Sequence, residues 1–200
     1  MNIDRLQRKL VLLVAAVLLL VMALFLQPHW TTSALHESMI WIGAFLIGAA
    51  ICGRTWAIVH IGGRKMWHFI SDGPYSVARH PLYASSILGT AGVAALTTSL
   101  VVTLTAVFVV WVIFARAARI EETVMAARFG DTYRSYLART PRFFPKPSLW
   151  RPSSNAIAVD YRIAIRSFAD SSLFAVAVPF YLALRWAHET QLIPVLYQLP

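Results

Sequence analysis

The chain has 200 residues, of which 58% are hydrophobic and 14% charged, against about a quarter charged in a soluble domain, so an ordinary water-soluble globule is excluded. Its net charge of +9 would suit nucleic acid, yet beside apolar spans basic residues mark the cytoplasmic side and contact anionic lipid, so no nucleic-acid partner is expected. A single cysteine, Cys52, excludes an intramolecular disulfide and a cysteine-rich metal centre.

In chain order, Arg5, Arg8 and Lys9 precede an unbroken apolar run from Leu10 to Leu26. The run is longer than a signal-peptide core of about 7–15 residues and no small-x-small cleavage site follows it, so it reads as a first membrane span. The stretch from Gln27 to Ser38 has no Lys or Arg and reads as an exterior loop, followed by a second span from Met39 to Val59. From His60 to Pro81 the chain is too polar and too rich in Gly and Pro for a lipid-facing helix, and it must lie at the interface or be buried in protein. Residues 82–115 are apolar except at Thr97 to Ser99, and too many for one crossing of about 20 residues; they read as a tight hairpin whose first helix is short. A polar helix capped at Gly130, a second short helix stopped by Pro141 and a linker "KPSLWRPSS" come next. Arg162, Arg166 and Asp170 then recur at helical spacing as an interfacial helix feeding a last span, Ser171 to Trp186.

The predicted fold is all-α, a single-domain multi-pass membrane bundle of about five transmembrane helices. All but Arg185 of the 18 Lys and Arg then fall on the side of the N-terminus, which the positive-inside rule makes cytoplasmic, with the C-terminus opposite.

Two polar clusters return to that face. "GPYSVARHPLY", Gly73 to Tyr83, carries two prolines that stiffen a loop entering a helix near Pro81, with Arg79 and His80 at its mouth. A helix start favours a carboxylate or phosphate there; Arg79 against lipid phosphate, with Tyr75 and Tyr83 in an interfacial belt, is the plainer reading. The second cluster is the doublet Glu121 and Glu122, with Arg116 and Arg119 just before it at the end of a membrane helix. An Arg119–Glu122 pair on the helix surface accounts for one glutamate but not for both. The histidines 60, 68 and 80 match no compact metal-ligand motif, so no metal is expected.

R-H-P-x-Y in the first cluster, and E-E followed by F-G-x-x-Y-x-x-Y in "RIEETVMAARFGDTYRSYLARTPRFFP", resemble the integral membrane methyltransferases typified by isoprenylcysteine carboxyl methyltransferase and the phospholipid methyltransferases. The resemblance covers about residues 54–147. It implies S-adenosylmethionine as cofactor and methyl transfer to a lipophilic acceptor at the cytoplasmic membrane face. It places the cofactor against Trp67, His68, Phe69, Ile70, Tyr75, His80, Pro81, Leu82, Tyr83 and Glu121, with His60 where the family has a glutamine. The family's substrate-contacting arginine falls at Ala117. Such a cofactor wants a cation for its carboxylate, an anion for its ammonium and aromatic surfaces for adenine and sulfonium, types that His80, Glu121 and the tyrosines supply. Arg79 or Arg119 would orient an anionic acceptor, and Glu122 would take a proton or bind an acceptor amine. Two rivals remain: a lipid-binding protein without activity, and an NADPH-dependent reductase of the sterol-reductase type. Those reductases share R-H-P-x-Y but usually carry asparagine where Leu82 stands, and they lack the acidic doublet.

Overall fold

The computed structural model describes residues 26–28, 34–61, 69–153, 161–192 and 197–199. Within them the regular structure is helical apart from one short pairing, in which β1 (Leu26–Pro28) lies parallel to β2 (Tyr197–Leu199) with Gln27 opposite Gln198. The helices are α1 (Ala34–Ile61), the single turn α2 (Pro74–Val77), α3 (Pro81–Ala95), α4 (Leu100–Arg139) and α5 (Tyr161–Glu189), with a 3-10 turn at Pro147–Leu149. Three of the described helices are long and apolar enough to cross a membrane: Ala34–Ile61, Leu100–Arg139 and, in α5, Ala164–His188. The fold is therefore that of an all-α, multi-pass membrane protein. The described residues do not carry the expectation of five crossings: residues 10–25 lie outside them, and α3 has only 15 residues.

The hairpin is present where the polar triplet predicts it. Thr97 and Thr98 donate their backbone N–H groups back to Ala94 and Ala95, Thr98 takes a φ of 55°, and the Ser99 hydroxyl accepts the Val102 N–H at 3.4 Å as the cap of α4. Two boundaries differ from expectation. The polar stretch after Ala115 continues the preceding span, because no Gly or Pro interrupts it until Gly130, whose φ of 55° and ψ of −133° break the helix within α4. Likewise the predicted interfacial helix and last span form one helix, α5, since Arg162, Arg166 and Asp170 keep helical phase and the only proline, Pro179, is accommodated in the interior.

The packing forms two units, and each long helix contributes a segment to both. In the first, built from described parts of residues 1–48, 87–113 and 174–200, α1 and α3 touch backbone to backbone: a Cβ on Gly43 would lie 2.8 Å from the Gly92 carbonyl oxygen, and one on Gly92 equally close to that of Gly43. Glycine is required at both positions because the helices leave no room for a side chain. Trp41 and Phe45, both 73% exposed, cover the outside of this unit, as lipid-facing side chains do. The second unit, from residues 49–86 and 114–173, carries both polar clusters. Its core is aromatic and small, with Ala57, Phe114, Ala118, Tyr133, Tyr136 and Phe143 buried.

Candidate functional site

The loop opening at Gly73 is fixed from both sides. Gly73 has a φ of +55°, and a Cβ there would lie 2.2 Å from His60 Cδ2, so the position demands glycine twice over. Pro74 and Pro81 open α2 and α3 as first helical residues, where a missing N–H costs nothing. Residues 77–80 are laced to the segment after α4: Arg79 N–H donates to the Pro141 carbonyl (2.8 Å), His80 N–H to that of Arg142 (3.1 Å), and Lys146 N–H to that of Val77 (3.0 Å). Further along that segment, Gly73 N–H reaches the Arg151 carbonyl at 2.8 Å. The Tyr136 hydroxyl closes the other side on the Tyr75 carbonyl at 2.7 Å.

Beneath the loop lies an ion cluster centred on Glu122, whose side chain is 9% exposed. Arg142 grips both of its oxygens, Nε to Oε1 at 3.0 Å and Nη2 to Oε2 at 2.5 Å. Arg79 Nη1 adds a contact to Oε1 at 2.9 Å and His80 Nε2 one at 3.2 Å. The other Arg79 donors go to the backbone carbonyls of Thr140 and Leu137, where α4 ends. A forked guanidinium from Arg142 and a single contact from Arg79 on one carboxylate make a strong, directional arrangement. The bond to Glu122 raises Arg142 above its ordinary pKa, so the guanidinium stays charged. Burial is the largest influence on His80 and, with Arg142 acting in the same direction, holds it below the ordinary imidazole pKa against the pull of Glu121 and Glu122. His80 is thus neutral at pH 7. A carboxylate only accepts, so Nε2 carries the proton and Nδ1 presents a lone pair, 3.7 Å from Glu121 Oε2.

A cavity opens beside this cluster. Of the sequence-predicted cofactor residues, Phe69, Ile70, Tyr75, His80, Pro81, Leu82, Tyr83 and Glu121 all line it. Tyr83 stacks between His80 and Phe114 and donates its hydroxyl to Glu121 Oε2 at 3.2 Å. Phe69 meets Tyr133 and Tyr136 edge-on, at 5.4 and 5.0 Å between ring centres. Burial pushes the Tyr75 hydroxyl well above its usual pKa, which keeps it a donor, and it reaches the Ala57 carbonyl at 3.5 Å.

Other expected residues stand elsewhere. Trp67 and His68 lie outside the described residues. His60 is not in the lining; it packs against Gly73 and the edge of Trp56, with Nδ1 3.2 Å from the Trp56 carbonyl oxygen. Arg119 is exposed and away from the cavity, so no Arg119–Glu122 surface pair forms: the carboxylate points inward to arginines from other segments. Arg79 lines the cavity with its nitrogens committed to Glu122 and the end of α4, and Glu122 itself is not in the lining. Sequence reasoning missed Arg142, Met125, Tyr133 and Tyr136. The tyrosines were in view in the F-G-x-x-Y-x-x-Y pattern, whose three-residue spacing sets both on one helix face.

This arrangement of loop, acidic doublet and aromatic wall lies in a chain whose residues 11–132 match the phospholipid methyltransferase family model. The chain belongs to the phospholipid methyltransferase family. Among curated relatives of this family member, a cobalt-zinc-cadmium resistance protein of Cupriavidus metallidurans is 34% identical over 151 residues, 76% of this chain and 69% of that protein. A nickel-cobalt-cadmium resistance protein of Alcaligenes xylosoxydans xylosoxydans is 28% identical, over 86% of this chain and 80% of its own length. The protein-S-isoprenylcysteine O-methyltransferase of Schizosaccharomyces pombe is 28% identical over 124 residues, 60% of this chain and 52% of that enzyme. No solved structure matches.

Proposed function

We propose that this protein transfers a methyl group from S-adenosylmethionine to a hydrophobic or amphiphilic acceptor at the cytoplasmic membrane face. The observation that carries the reading is the division of labour in the acidic doublet: Glu122 is buried beneath two arginines, whereas Glu121 lines the cavity. The donor set fits the cofactor. Glu121 Oε2 and His80 Nδ1 are two acceptors 3.7 Å apart, suited to an ammonium between them, and Phe69, Tyr75 and Tyr133 offer ring surface for adenine and sulfonium. Neutral His80 does not act as the cation for the cofactor carboxylate; the opening turn of α3, at Leu82 and Tyr83, supplies N–H groups for it. When bound, the cofactor supplies an electrophilic methyl group on sulfonium. The chain's own work is alignment and exclusion of water, and Arg79 and Glu122 contribute as positioning residues that hold loop 73–80 on α4. Arg119, exposed and outside the cavity lining, is given no role in this reading.

The test is calorimetric titration of detergent-purified protein with S-adenosylhomocysteine and, separately, NADPH. Micromolar binding of the former, lost in Glu121→Ala, is expected. Binding of NADPH alone would replace this reading with the reductase one, and binding of neither would leave a non-catalytic lipid-binding protein.

Two relatives named for metal resistance favour a second statement, that the methylated product contributes to tolerance of divalent cations. Expression of the wild-type chain, but not of Glu121→Ala, should then raise the cobalt concentration that stops growth of a sensitive host.

A further inference from the structure

Arg54 is the only Lys or Arg in the apolar helix α1, and a charge inside a spanning helix is a functional candidate that must find compensation. The residue is half-buried and its guanidinium carries five N–H donors, yet among the described residues it makes a single hydrogen bond, from Nη1 to Ser86 Oγ at 3.0 Å. No carboxylate of the described residues lies within 4.0 Å of it. The bond is possible because α1 and α3 come close there: a Cβ on Gly53 would lie 3.0 Å from Ser85 Oγ.

Both partners sit in register with the cavity. Arg54 and Ile61 are seven apart, hence on one face of α1, and Ile61 lines the cavity. Ser86 lies one turn beyond Leu82 on α3, donates its hydroxyl to the Leu82 carbonyl at 2.9 Å, and Leu82 lines the cavity too. The guanidinium therefore stands one to two turns farther into the span than the cavity wall, with most of its fork uncommitted among the described residues.

From this placement we infer that Arg54 binds the oxyanion headgroup, phosphate or carboxylate, of an amphiphile that enters from the bilayer beside the cavity. The forked donor matches an oxyanion bidentately, and α1 around it offers apolar surface to a chain. The inference deepens the methyl-transfer reading and rests on it for the identity of the amphiphile as acceptor.

The test uses the full chain in a neutral detergent, titrated with dodecyl phosphate, dodecanol and inorganic phosphate, with S-adenosylhomocysteine binding measured on the same samples. Wild type should bind dodecyl phosphate saturably, and dodecanol and inorganic phosphate weakly or not at all. Arg54→Gln should weaken dodecyl phosphate by about tenfold or more, as loss of a charge-assisted fork requires, while S-adenosylhomocysteine still binds. Ser86→Ala removes the hydroxyl and keeps the cation, and should stay within about twofold of wild type. Equal binding by Arg54→Gln and wild type overturns the inference, as does a loss in Ser86→Ala as large as in Arg54→Gln, which would make the pair a strut between helices. Inorganic phosphate binding as tightly as dodecyl phosphate overturns the amphiphile. Failure of wild type to bind S-adenosylhomocysteine sinks the methyl-transfer reading instead and leaves the dodecyl phosphate comparison standing.

Discussion

Two glycines with the same backbone conformation have different surroundings. Gly73 and Gly130 both have a φ of 55°, but a Cβ on Gly73 would drive into His60, whereas one on Gly130 meets nothing within 4 Å. Alanine at either pays backbone strain of about 1–3 kcal/mol; Gly73→Ala must also displace His60, so its melting temperature in detergent should fall farther than that of Gly130→Ala. The acidic doublet divides in the same way. Glu122→Gln strands Arg79 and Arg142 without their counter-ion, and a stability loss of about 3–5 kcal/mol is expected in chemical denaturation. His80 adds a pH dependence. Because burial lowers its folded pKa, the unfolded chain takes up the proton first as pH drops. Stability should therefore be full above about pH 6.5 and decline as pH falls below it. His80→Gln should flatten that decline, and an unchanged slope would mean that another group carries it. The motif around His80 and Pro81 was legible in the sequence; the neutral state of the imidazole was not, since it follows from burial and from Arg142, which is distant in sequence.

Among the elements, the hairpin at Thr97 to Ser99 and the break at Gly130 were readable because each depends on local chemistry, a polar triplet between apolar runs and a residue tolerant of positive φ. The segment after α4 was read as a stop and a linker, yet through Pro141, Arg142 and Lys146 it forms the backing of the site loop. Its importance lies in backbone hydrogen bonds to partners some 60 residues earlier, which no local pattern encodes. The Tyr136 bond to the Tyr75 carbonyl belongs to the same scaffold. Tyr136→Phe leaves that carbonyl buried without its donor and should cost about 1–3 kcal/mol of stability. A melting temperature equal to wild type would show that the carbonyl finds another donor.

For the whole molecule, composition alone required a membrane protein, and the described helices agree, with three long enough to cross. The proposed orientation is open to direct measurement in a Cys52→Ser background. A cysteine introduced at Ser148 should react with an impermeant maleimide in inside-out vesicles, and one introduced at Gln191 in intact cells; the reverse pattern would invert the topology. What the sequence by itself determined was the solvent in which the chain folds, the helical class and the two motifs, because hydrophobic content, helix length and turn residues act over a few neighbours. Only the tertiary structure decided which glutamate faces the cavity, that Arg142 and Arg79 share Glu122, and that Arg119 lies outside. These depend on how segments distant in sequence meet, and on the burial that meeting imposes on charged groups, quantities that no stretch of sequence contains alone.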